Sequence, residues 1–284
     1  MTSGRAAGSF TGAAGLRIFS QSWAPAGQAR GVVVIVHGYG EHSDRYEWVA
    51  EQLVGDGFTV WASDHRGHGR SQGARALVDV DALVADVDRL VDEAVAAHPG
   101  LPVFVLGHSL GGMIAVRYAL AHQQRLRGLL LSGPLAAVDA SPPLALVGRL
   151  LARVAPRLGV LDLDPALVSR DPAVVAAYRA DPLVHHGRIP ARTAAAIADT
   201  VAALPDSVSA ITVPTLIVYG TADGLCPPRG SVMLGERIGA EDVTVRGYEG
   251  LFHEVLNEPE RETVMAEVLA WLDARAGVVA PAGE

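Results

Sequence analysis

Apolar residues along this chain follow two alternating rhythms. Gly31-Val32-Val33-Val34-Ile35-Val36 is continuously apolar and β-branched, as expected of a strand buried on both faces of a sheet. Val103-Phe104-Val105-Leu106, Gly128-Leu129-Leu130-Leu131 and Pro214-Thr215-Leu216-Ile217-Val218-Tyr219 repeat that pattern, and residues 59–62 and 242–248 predict two more strands. Residues 16–23 alternate like an antiparallel strand at a sheet edge. Between the strands, Val80, Leu83, Val84, Val87, Leu90, Val91 and Val95 keep helical spacing, with Asp81, Asp86, Asp88 and Asp92 placed on the solvent side. That stripe predicts an amphipathic helix packed on the sheet. Further helices are expected around 46–55, after Gly111, and over 259–276. Strands alternating with helices imply an α/β fold with a mostly parallel central sheet flanked by helices.

The rhythm changes between about residues 135 and 205. No β-branched run occurs there, and helical patches are interrupted at Pro156, Pro165, Pro172, Pro182 and Pro190. A helical insertion between two strands of one sheet is expected to form a cap over the strand ends. The expected organisation is therefore a core in two parts, 1–134 and 206–276, an inserted cap at 135–205, and a disordered tail at 277–284.

Composition narrows the function. A chain of 284 residues, 50% hydrophobic, can bury one large core with an insertion. The formal net charge of −8 argues against a nucleic-acid partner. The single cysteine, Cys226, excludes an internal disulfide and a Cys-pair metal site, and favours a reducing, cytoplasmic compartment. No apolar run is long enough for a transmembrane segment, and the N-terminus lacks the apolar stretch of a signal peptide. All 23 basic residues are arginine, so no lysine base, Schiff base or P-loop lysine can operate here.

The candidate chemistry centres on Gly107-His108-Ser109-Leu110-Gly111, which follows a strand and opens a helix. This is the context of a Gly-x-Ser-x-Gly nucleophile elbow, in which glycines let strand and helix approach and force the serine into an exposed turn. Serine needs a base and a group that orients the base. Asp223 lies just past one strand end and His253 just past the next, on the same edge as Ser109, where open α/β sheets gather their ligands. Ser109 is thus assigned as nucleophile, His253 as base and Asp223 as orienter. His108 is expected to pack, while His98, His122, His185 and His186 lack a strand-end context. An oxyanion requires two backbone N–H donors. Leu110 supplies one, and Tyr39, in the loop His37-Gly38-Tyr39-Gly40-Glu41-His42, is the expected second. His37 is read as a structural hydrogen-bonding residue.

These motifs, with Arg45-Tyr46, Asp64-His65-Arg66-Gly67-His68-Gly69-Arg70-Ser71, Gly220-Thr221-Ala222-Asp223 and Tyr248-Glu249-Gly250-Leu251-Phe252-His253-Glu254, resemble the monoacylglycerol lipase family of α/β-hydrolases. Ser169-Arg170-Asp171-Pro172 and Asp181-Pro182-Leu183-Val184-His185-His186-Gly187 resemble bacterial members in particular. The resemblance implies an α/β-hydrolase fold and hydrolysis of monoacylglycerols to fatty acid and glycerol, with no cofactor and no metal. It also aligns Glu41 and Arg45 with residues at the glycerol end of the pocket. An i,i+4 ion pair at a helix start is the alternative for those two. The chain departs from animal relatives at Val255-Leu256-Asn257, where they carry another histidine, whereas Cys226 stands as in those relatives and is expected near the active site.

Within the cap, Leu144, Val147, Leu150, Leu151 and Val154 form an apolar stripe, with Arg149 and Arg153 elsewhere on the helix. Leu144, Val147 and Leu151 are candidate acyl-chain entrance residues. The helix reads either as a peripheral contact with a lipid surface or as a lid packed over the pocket. The rival functions are a lysophospholipase or broad carboxylesterase on the same triad, an acyltransferase, and a non-catalytic binding protein on this fold. Epoxide and haloalkane hydrolysis are disfavoured by a serine at the elbow.

Overall fold

The computed structural model describes residues 4–139 and 142–277, the side chains of 142–146 excepted; the predicted tail beyond 277 lies outside the described residues. Strands β1 (Gly4–Thr11), β2 (Arg17–Ala24), β3 (Gly31–Val36), β4 (Phe58–Ser63), β5 (Val103–His108), β6 (Gly128–Ser132), β9 (Thr215–Gly220) and β10 (Val243–Tyr248) build one sheet, in the order β1-β2-β4-β3-β5-β6-β9-β10. Two short strands, β7 (Gly159–Leu161) and β8 (Ile189–Pro190), form a separate ladder. From β4 to β10 all neighbours are parallel, and only β1–β2 and β2–β4 are antiparallel. The helices are α1 (Glu47–Gly55), α2 (Val80–Ala97), α3 (Leu110–His122), α4 (Pro142–Val154), α5 (Pro172–Ala180), α6 (Ala191–Ser207), α7 (Arg229–Arg237) and α8 (Arg261–Ala276).

The unbroken apolar runs make sense because both faces of the sheet are covered. Val32, Val34 and Val36 of β3 pack into a cluster with Leu83 and Leu90 of α2 and Met113 of α3. Val33 and Ile35, pointing the other way, join Leu53 of α1, Phe104 and Leu106 of β5, and Trp271 of α8. Strand alternation thus sorts one apolar run into two cores.

Two features correct the sequence reading. Residues 16–23 do lie in an antiparallel strand, but β1 pairs with it along its whole length and takes the edge. The β1 side chains are mostly exposed, so no apolar alternation announced that strand. Asp86 is buried rather than solvated. It follows Leu83 by three residues and therefore shares the inward face of α2. There its carboxylate accepts from Arg66 Nε and Nη2, both at 2.7 Å, and from Ala13 N–H at 2.9 Å. The helices of this segment are separated at Pro165, Pro172 and Pro190, as the sequence predicts. These prolines stand at the starts of helical turns, as in α5, where Asp171 accepts from Ala173 N–H ahead of a proline in the first turn. Helix α6 even carries Pro205 in its last turn.

Between β6 and β9 the chain forms α4, β7, α5, β8 and α6. Its middle is fastened to the sheet's carboxyl edge: His185 N–H donates to Gly40 O at 2.7 Å, His42 Nε2 meets Asp181 Oδ2 at 2.8 Å, and Glu254 N–H donates to Val168 O at 2.8 Å.

Asp86→Ala is expected to lower the unfolding free energy by about 3–5 kcal/mol, because it leaves a buried guanidinium unpaired. Urea denaturation checks this; a loss below about 0.5 kcal/mol, as at a solvated aspartate, would contradict the buried pair.

Candidate active site

The nucleophile turn is made by close backbone approach. A Cβ on Gly107 would lie 2.4 Å from Gly111 O, and one on Gly111 would lie 2.0 Å from Val36 O. Only glycine lets the first turn of α3 press against both β5 and the end of β3. Ser109, between them, has φ 56° and ψ −120°, a left-handed conformation that costs a serine about 1–3 kcal/mol. Its backbone is held there from several sides: Ser109 N–H donates to Ser132 O at 3.0 Å, and Ser109 O accepts from Gly112 and Leu135 N–H at 2.9 and 3.0 Å.

Asp223 follows β9 and His253 follows β10, so both reach the edge where β5 ends. Asp223 Oδ1 accepts from the N–H groups of Leu225 and Cys226, each at 2.8 Å, which turns Oδ2 toward His253 Nδ1 at 2.7 Å. Both side chains are buried. A proton donated from Nδ1 to the carboxylate leaves Nε2 as the acceptor. Burial alone would lower the His253 imidazole, but the hydrogen bond and charge of Asp223, with Glu254 and Glu41 behind, outweigh it and raise the group above its ordinary 6.5.

The Ser109 hydroxyl rests 3.7 Å from Cys226 Sγ and, among the described residues, makes no hydrogen bond to His253. The cysteine is therefore beside the serine. Burial, and then the charge of Asp223, push its thiol up, so it stays protonated. His108 is buried and packs as expected, with Nδ1 at 2.9 Å from Ser132 O and its ring 4.7 Å from that of His253.

The loop after β3 lies over the serine: a Cβ on Gly38 would be 3.2 Å from Ser109 Cβ. His37 fixes this loop. Its Nε2 accepts from His65 N–H at 2.8 Å, and Nδ1 donates to Gly38 O at 2.7 Å. Burial, with His65 and His68 adding, lowers His37 well below its ordinary value, so it stays neutral. Among the described residues, neither Tyr39 N–H nor Leu110 N–H is bonded to an acceptor. Leu110 is the first residue of α3, where N–H groups have no intrahelical partner.

Glu41 and Arg45 are paired at i,i+4 spacing, with Arg45 Nη1 2.6 Å from Glu41 Oε2. The same guanidinium makes two parallel bonds of 2.7 Å to Glu254. Sequence reasoning missed Glu254 as a partner. Its only signal was an acid directly after the assigned base.

On α4, Val147, Leu150 and Val154 are 51%, 59% and 70% exposed, whereas Leu151 is half-buried. The side chain of Leu144 lies outside the described residues. Arg149 turns toward α6 and pairs with Asp199 at 2.6 Å. Among the described residues no helix is long and apolar enough to cross a membrane, and no group of three or more His, Cys, Asp or Glu could hold a metal ion.

A family profile described as "Serine aminopeptidase, S33" matches residues 27–260. The chain is 45% identical over 277 residues to the monoacylglycerol lipase of Mycolicibacterium smegmatis, spanning 96% of this chain and 98% of that one. It is 36% identical over 278 residues to the human monoglyceride lipase, spanning 94% and 91%. The crystal structure of Paleococcus ferrophilus monoacylglycerol lipase superposes with a TM-score of 0.81 at 33% identity, over 97% of this chain and all of that one. Matched to such relatives almost end to end, in sequence and in the course of its backbone, the chain belongs to the monoacylglycerol lipase family of α/β-hydrolases.

Proposed function

We propose that this protein is a serine hydrolase that cleaves monoacylglycerols to fatty acid and glycerol through an acyl-enzyme on Ser109. The observation that carries the reading is the convergence of Ser109, Asp223 and His253 from the ends of β5, β9 and β10, with His253 held to Asp223 at 2.7 Å. The substrate class follows from the lipases that the chain resembles along nearly its whole length.

In this mechanism His253 Nε2 takes the Ser109 proton as Oγ attacks the ester carbonyl. Tyr39 and Leu110 N–H groups receive the oxyanion, and each such donor typically contributes about 2.7–4 kcal/mol to the transition state. His253 then protonates the departing glycerol and activates the water that releases the fatty acid. Asp223 holds the imidazole in the productive tautomer. The segment between β6 and β9 acts as a cap, with α4 as its outer edge. Supporting a peripheral lipid contact, α4 turns Val147, Leu150 and Val154 to solvent and commits Arg149 to Asp199 instead. An apolar helix face left open in this way suits an interface.

Four outcomes are expected. Ser109→Ala should reduce hydrolysis of a long-chain monoacylglycerol by about a millionfold, to background. The wild type should prefer that substrate to the matching lysophosphatidylcholine and to a short nitrophenyl ester. Serine-dependent activity confined to the latter two would replace the substrate and keep the triad. Because the base must be unprotonated, kcat/KM on a soluble ester should fall on the acid side with a midpoint above 6.5. A midpoint below that value would contradict the Asp223–His253 pairing. Replacing Val147 and Leu150 by glutamate should weaken vesicle binding and long-chain hydrolysis more than hydrolysis of the soluble ester. Equal losses on both substrates would refute the interfacial role of α4.

A further inference from the structure

Exposed apolar side chains are concentrated in one stretch of this chain. Among the described residues seven large hydrophobic side chains stand exposed, and six of them fall between positions 147 and 163. Val147, Leu150 and Val154 are on α4, and Leu158, Leu161 and Leu163 follow it. Single exposed leucines need no explanation, whereas a concentration of them marks a contact surface. The arginines of α4 are arranged in the opposite sense. Arg149 and Arg153 flank the neighbouring helix α6, while the apolar row faces solvent.

Between the two helices lies an open groove of about 760 Å³, lined by Arg149, Arg153, Arg192 and Asp199. Ala152 and Ala195 also line it, and their small side chains leave the space between the arginines open. Arg149 Nε and Nη2 donate to one oxygen of Asp199, at 2.9 and 2.6 Å. Arg192 Nη2 lies 3.8 Å from Asp79 Oδ2 at the start of α2. Arg153 pairs with no carboxylate among the described residues. Three guanidinium groups against two carboxylates leave a local surplus of positive charge, on a chain whose formal net charge is −8. The carboxylate of Asp199 shows that an anion can sit among these arginines.

We propose that the groove between α4 and α6 binds the phosphate of an anionic phospholipid in a bilayer, with Arg153 as its principal contact. The proposal rests on the interfacial role given to α4 above, and goes beyond it by naming the lipid class and the residues that select it. A singly charged phosphodiester cancels the surplus charge of the groove. Arginine suits this partner because its planar fork matches two phosphate oxygens at once. Arg149 keeps Nη1 free for a second contact, since its bonds to Asp199 use only Nε and Nη2.

The register of the two rows favours a bilayer over a soluble polyanion. Arg149 directly precedes Leu150 and Arg153 directly precedes Val154, so the basic row runs about 100° around the helix from the apolar one. A helix lying flat with its apolar row in the acyl boundary then holds its arginines at the depth of the phosphates. A nucleic acid offers phosphates but no apolar layer for Val147, Leu150 and Val154. Held at both rows, the outer edge of the cap faces the layer in which a monoacylglycerol resides.

Sedimentation with vesicles of phosphatidylcholine, and with equimolar phosphatidylcholine and phosphatidylglycerol, tests the proposal. The net charge of −8 repels an anionic bilayer, so a preference for the anionic vesicles reports a local site. The wild type is expected to show that preference, and to lose it as salt rises. Arg153→Gln should weaken binding to the anionic vesicles about fivefold, and Asp199→Asn should strengthen it by about the same factor, as one charge does near such a surface. Neither should change binding to phosphatidylcholine. Arg157→Gln removes an exposed arginine outside the groove and should cost less than Arg153→Gln. Thermal melting screens each variant for folding. Equal losses at Arg153 and Arg157 would replace the site by a diffuse field and overturn the proposal. A wild type that binds anionic vesicles no better than neutral ones would also overturn it, as would unchanged binding in Arg153→Gln. Replacing Val147 and Leu150 by serine separates the two readings. Equal wild-type binding to both vesicles, lost in that double variant, keeps the apolar contact and defeats the phosphate site. Anionic binding that survives the double variant but falls in Arg153→Gln keeps the phosphate site and defeats the apolar contact.

Discussion

Much of this structure follows from one close contact, that of the first turn of α3 against the ends of β3 and β5. Gly111 brings the helix so near that an added Cβ would stand 2.0 Å from Val36 O. Gly107 allows the same approach from the strand side. With both neighbours pressed in, Ser109 is left with φ 56°, and its backbone hydrogen bonds to Ser132, Gly112 and Leu135 keep it there. The strain is tolerable because two apolar clusters, one on each face of the sheet, hold α3 and its strands rigidly. The helix also aims its unpaired N–H groups at the space above the serine.

The parallel sheet does the rest of the assembly. Because β3, β5, β9 and β10 run in one direction, the loops that follow them share one edge. Each loop carries a different chemical part: an N–H group, a hydroxyl, a carboxylate and an imidazole. Asp223 is aimed by two N–H groups of its own turn, and His253 is aimed by Asp223. The inserted segment then lies on these loops through Gly40, His42 and Glu254, and the paired Asp223 and His253 are buried, where electrostatic effects are strengthened.

What could be read from the chain was what short spacing encodes. The apolar runs specified the central strands, the stripe from Val80 to Val95 specified α2, and Ser109, Asp223 and His253 stood where motif and strand end coincide. What escaped reading depends on distance or on exception. Strand β1 shows almost no apolar side chains to a core, so it carried no periodic signal. Asp86 is charged and so reads as a solvent-side residue, although its spacing from Leu83 puts it inside; the decisive partner, Arg66, comes from another loop. Helix α7 is too polar in composition to announce itself. Arg45 and Glu254 stand 209 positions apart, and nothing local to either predicts that they meet.

Hydrolysis through Ser109 requires a covalent intermediate. Rapid acid quench of the enzyme with a long-chain monoacylglycerol, followed by peptide mass mapping, detects it directly. The expected result is an acyl group replacing the hydroxyl proton of Ser109, on the peptide that contains residues 107–111, with glycerol released in the same step. Acyl mass on a different residue, or glycerol release during turnover with no adduct at any quench time, would contradict it.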